Sequence, residues 1–78
     1  MDRLKLDDVI YANPRIELSG NRMASVSGCS GVSEYENGRI SLVADGTVTI
    51  FSGDGLEIIS LGDGEAVIRG KFFSIEFR

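Results

Sequence analysis

Apolar and polar residues alternate along most of this chain, and the alternating runs are cut at short intervals by glycine-containing turns. The runs are rich in Val, Ile, Phe and Thr, side chains that suit a pleated surface better than a helix. The pattern predicts strands near Arg15 to Ser19, Arg22 to Ser27, Gly31 to Glu36 and Arg39 to Ala44. Four more follow near Thr47 to Ser52, Leu56 to Leu61, Glu65 to Arg69 and Lys71 to Phe77. Asn37-Gly38 and Asp45-Gly46 are the dipeptides that two-residue hairpins favour, because Asn, Asp and Gly tolerate positive φ at the turn positions. The expected fold is all-β, a small antiparallel meander of about eight short strands folded into a two-layer sheet. A β-solenoid-like stack is the alternative, which the tight turns oppose because stacked coils pair in parallel. Residues 1–13 are mixed in pattern and end at Pro14, so they read as an N-terminal arm before a single all-β domain of residues 14–78.

Alternation also assigns faces. Ile40 and Leu42, Val48 and Ile50, and Phe73, Ile75 and Phe77 are expected to point inward. Phe51, Ile59, Leu61, Val67 and Phe72 fall out of phase with that set, so the later strands carry apolar residues on both faces. A second apolar face needs a cover. Phe51, Ile59, Val67 and Phe72 are therefore the expected surface for self-association or a partner protein.

At 78 residues the chain is one small module with a thin core, and such modules usually lean on disulfides, metal or a partner subunit. Its single cysteine, Cys29, forms no intrachain disulfide, and with no histidine a Cys/His zinc site has too few donors. Oligomerisation is the support left. Missing histidine also removes the imidazole relays of serine and cysteine hydrolases. A formal net charge of −4 argues against nucleic acid or anionic lipid as partner. Charges from Asp2 to Asp8 occupy the place where a signal peptide would be apolar, and no apolar run approaches the roughly 20 residues of a membrane-spanning helix.

The remaining chemical candidates read as structure. Asp-Gly recurs at positions 45, 54 and 63, but without the paired glycines of calcium-binding nonapeptide repeats, and the units are expected to be turns. The loops around Asp54 and Asp63 precede no helix that could cradle a phosphate. Cys29 sits among small residues with no base to activate it and is expected in a tight loop or bulge. Glu34 and Glu36 alternate on one strand face as an acid pair might, and read as solvated charges. No catalytic, cofactor-binding or metal residue is assigned.

Several segments nevertheless carry a family resemblance. Pro14-Arg15-Ile16-Glu17-Leu18-Ser19-Gly20-Asn21-Arg22, Gly31-Val32-Ser33-Glu34-Tyr35 and Gly55-Leu56-Glu57-Ile58 occur in order. They are followed by Val67-Ile68-Arg69-Gly70-Lys71-Phe72-Phe73-Ser74-Ile75-Glu76-Phe77. Together they resemble the YabP/YqfC family of sporulation proteins from about Leu6 onward, and lie closer to the YqfC branch through the Pro14 and Tyr35 regions. The resemblance implies a β protein of endospore-forming bacteria that acts in spore-envelope assembly without catalytic activity. It also implies a mother-cell cytoplasmic location, peripheral at the forespore membrane through a membrane-anchored sporulation partner.

The leading reading is a non-enzymatic assembly module that associates with itself or with such a partner. The alternative is a small β ligand-binding module for carbohydrate or cell-wall fragments, which usually stack sugars on exposed rings. With no tryptophan, Tyr11 and Tyr35 are the best rings available for that purpose. An enzyme ranks last.

Overall fold

The computed structural model describes residues 15–78, so the expectation for the N-terminal arm lies outside the described residues. The described chain contains strands and turns and no helix. Six strands form in order: β1 (Arg15–Ser19), β2 (Met23–Ser27), β3 (Cys29–Glu36), β4 (Arg39–Ala44), β5 (Thr47–Gly62) and β6 (Glu65–Phe77). They make one antiparallel sheet in the spatial order β1-β2-β6-β5-β4-β3. The all-β antiparallel expectation holds, and the parallel pairing of a solenoid is absent from the described residues.

The expected eight strands become six because four of them fuse in pairs. Thr47 to Ser52 and Leu56 to Leu61 lie in one strand, β5, and Glu65 to Arg69 and Lys71 to Phe77 lie in β6. Gly53-Asp54-Gly55 does not reverse the chain. It forms irregular steps within the β5–β6 ladder, where Gly53 pairs with Phe72, Asp54 with Lys71 and Glu57 with Arg69. Gly55 and Gly70 both take positive φ at this place, and a side chain on Gly53 would strike the Lys71 carbonyl. Glycine is required here for close backbone approach, the other use of a residue without Cβ.

Nor is the order that of a simple meander. β3 to β6 run as consecutive hairpins, whereas β2 lies beside β6 at the far side, with only Gly28 between β2 and β3. The sheet curls so that β3 approaches the second half of β5. The Cys29 amide donates to the Gly64 carbonyl at 3.0 Å, and the Ile58 amide to the Tyr35 hydroxyl at 3.0 Å. At the bend, the Leu56 amide donates to the Asn37 carbonyl at 2.8 Å.

Both halves of the curled sheet feed one core. Ala24, Val26, Ala66 and Ile68 meet Ile40, Leu42, Ala44, Phe51, Leu56 and Phe72 in a single buried cluster. The inward placement of Ile40 and Leu42 is as expected, but β5 has the opposite phase. Asp45 and Gly46, both at positive φ, make a two-residue turn that pairs Ala44 with Thr47. An even-numbered residue of β4 therefore faces an odd-numbered residue of β5, and Ile40 lies across from Phe51 and Leu42 across from Thr49. Phe51 and Thr49 point into the core, while Val48 and Ile50 take the other face. Phe73 and Phe77 are exposed rather than internal, and of that trio only Ile75 packs against the core.

Cys29 is the first residue of β3, at the bulge between Cys29 and Gly31 and not in a loop, and it belongs to the buried cluster. Its thiol makes only a weak contact with the Gly31 carbonyl, at 3.6 Å. Cys29→Ser should therefore lower stability by about 1 to 2 kcal/mol, as a small apolar group becomes a buried hydroxyl. A denaturant midpoint unchanged from the parent chain would contradict that placement.

Candidate association surface

The four residues expected to form a partner surface do not come together. Phe51 is 0% exposed and Phe72 7%, and their rings face each other in the core with centroids 5.4 Å apart. The reversal at Phe72 has a register cause. Ser52 pairs with Ser74 but Gly53 with Phe72, so β6 carries one extra residue at this step. That residue is Phe73. The bulge puts Phe72 on the side of Gly53 and Phe51 and leaves the Phe73 ring outside, 68% exposed. Ile59 is likewise the extra residue where Ile58 pairs with Ile68 and Ser60 with Val67, and it is partly exposed. Val67 is half-buried on the outer face, in a shallow depression with Glu17, Ser25 and Met23.

A different apolar strip is exposed. Phe73, Phe77 (62% exposed) and Leu18 (53% exposed) lie along the tip of β1 and the last half of β6. Leu18, Phe72, Phe73 and Ile75 line an open cleft of about 260 Å³ that is mostly apolar. Leu18 reaches it because the Ser19–Arg22 turn lays the β1–β2 hairpin against β6, with the Phe72 amide donating to the Asn21 carbonyl at 2.8 Å.

The strip coincides with a free strand edge. β2 pairs with β6 only from Glu65 to Arg69, and beyond the Asn21 contact no described strand lies on that side of β6. Arg78 and Val48 exchange two backbone hydrogen bonds, of 2.8 and 2.9 Å. Antiparallel alternation then turns the N–H and C=O groups of Ile75 and Phe77 away from β5, toward the open side. Charges around this edge are balanced. The Glu76 carboxylate lies 3.6 Å from the Arg78 guanidinium, and the Lys71 ammonium sits 5.9 Å from the Phe73 ring centroid.

The chemical candidates are absorbed by structure. Glu34 accepts from Ser41 Oγ at 3.1 Å and pairs with Arg39 at 2.9 Å, so it is a cross-strand tie more than a solvated charge. Glu36 is exposed. Asp45 and Asp63 occupy positive-φ hairpin turns, while Asp54 stands opposite Lys71 in the backbone register of the β5–β6 bend. No cluster of three or more His, Cys, Asp or Glu suited to a metal occurs among the described residues. Adding calcium or a chelator should leave the melting temperature unchanged, since a ligand bound only by the native state would raise it by mass action. A calcium-dependent rise of several degrees would contradict the assignment of Asp45 and Asp63 to turns and of Asp54 to the strand bend.

Tyr35 is partly exposed, with its hydroxyl engaged by Ile58, and Tyr11 lies outside the described residues. The described residues include no helix long and apolar enough to cross a membrane.

Fold and surface together define a small all-β module that exposes an apolar strand edge. Residues 11–78 match the model of the YabP family, and the chain belongs to that family. Membership points to a role in sporulation, and the family is not known for catalytic activity. No curated protein and no solved structure matches the chain.

Proposed function

We infer that the protein acts in spore-envelope assembly as a non-catalytic module that binds other proteins through the edge formed by Leu18, Phe73 and Phe77. The observation that carries this reading is the coincidence, on one strand, of exposed aromatic rings with backbone groups that no other described residue pairs, a combination that natural sheets otherwise cover, shorten or charge. A membrane-anchored sporulation protein suits the reading, because it would hold this chain at the forespore membrane from the mother-cell side.

The test is a chain carrying Phe73→Ser and Phe77→Ser together, expressed in sporulating cells in place of the parent. It should fold and accumulate normally, since both rings are outside the core, and yet yield spores with defective envelopes and reduced lysozyme resistance. Spores of full resistance from that strain would contradict the reading.

A further inference from the structure

The edge of β6 also specifies what can lie on it. We propose that the stretch from Phe73 to Phe77 pairs antiparallel with the same stretch of a second copy of this chain, about a two-fold axis at Ile75, so that two sheets join into one. This names a partner for the surface described above and rests on that reading of it.

Self-complementarity carries the argument. Pairing must bring outward-facing backbone groups together, and Ile75 and Phe77 are the residues whose N–H and C=O groups face out. Centring on Ile75 sets Ile75 against Ile75 of the partner subunit and places Phe73 opposite the partner's Phe77. Both exposed rings then gain an aromatic cross-strand neighbour, twice over by symmetry.

Neighbouring registers do worse. Centring on Glu76 sets two carboxylates directly opposite each other, which is unfavourable on a sheet. Centring on Ser74 drives the partner strand toward Lys71 and Phe72, where the Asn21 carbonyl already takes the Phe72 amide. Around Ile75, Glu76 meets the partner's Ser74 and no like charges face each other. The edge from Phe73 to Phe77 also carries no proline and no lysine, and beyond the bulge at its Phe73 end the residues from Ser74 to Phe77 keep regular register with β5.

The register makes a charge-swap test possible. Sedimentation of the full chain over a wide concentration range should show a reversible monomer–dimer equilibrium. Phe73→Lys alone and Phe77→Glu alone should each leave a folded monomer by circular dichroism, through loss of the aromatic contact. The chain carrying both changes should dimerise again, because the new lysine meets the new glutamate only across the axis. Within one chain the two positions are four residues apart along a strand and do not touch.

A parent chain that stays monomeric at every concentration overturns the proposal, whether residues 1–14 or another protein then covers the edge. A dimer unaffected by either single change, or a double variant that remains monomeric, overturns it as well. The spore phenotype of the serine variant is read separately. A monomeric parent with a defective serine strain would remove the second copy while leaving the association role standing.

Discussion

Phe72→Glu should unfold the chain, whereas Phe73→Glu should leave it folded. The two residues are adjacent and chemically identical, and alternation alone would give the opposite assignment. Phe72 is buried against Phe51, so a carboxylate there loses its hydration and gains no counter-charge within the core cluster. The cost is about 3 to 5 kcal/mol or more, comparable to the entire stability of a domain this small. Phe73 projects from the bulge into solvent beside Lys71, where a carboxylate stays hydrated. Far-UV circular dichroism with urea titration separates the cases. Two variants of equal stability would mean that the bulge between Ser52 and Gly53 is misplaced.

A second large effect should come from a single methyl group. Gly53→Ala places a Cβ into the Lys71 carbonyl, and the obstacle is backbone, which cannot rotate aside. Because this is the point where β5 and β6 bend together, relieving the clash means shifting the ladder on both strands. A loss of about 3 kcal/mol is expected. Gly62→Ala is the matched control: nothing lies within 4 Å of its Cβ position and its φ is not positive. That change should be neutral or slightly stabilising, through lower entropy of the unfolded chain. Equal urea midpoints for the two variants would contradict the close approach at the bend.

Much of this fold was legible because β alternation and turn chemistry are local. The limits of β1 and β4 match the sequence reading, as does the hairpin turn at Asp45-Gly46. That same turn held information the alternation reading did not use. A two-residue loop pairs even with odd positions, so placing Ile40 and Leu42 inward requires Thr49 and Phe51, and not Val48 and Ile50, to join them. The Asn37-Gly38 hairpin forms too, though neither residue is at positive φ, and there Asn37 binds the amides of Gly55 and Leu56 across the bend.

What was not legible depends on distant partners. Gly53-Asp54-Gly55 looks like a turn in isolation, and only the facing Lys71, Phe72 and Gly70 make it a bend within a strand. The bulge at Phe73 has no local signature, since it arises from the pairing of β6 with β5. Phe51 and Phe72 were correctly grouped on one face, but that face is the core. The exposed strip, with Leu18 contributed by the opposite end of the domain sequence, emerges only when the β1–β2 hairpin is laid against β6.

Amide hydrogen exchange on the full chain, resolved by residue and compared between dilute and concentrated solution, reads the open edge directly. The amides of Ser74 and Glu76 face β5 and should be protected in both conditions. Those of Ile75 and Phe77 should exchange rapidly in the dilute chain and slow markedly as it associates, with Ile59 unchanged. Rapid exchange at Ile75 and Phe77 under both conditions, or protection already complete in the dilute monomer, would contradict an associating edge.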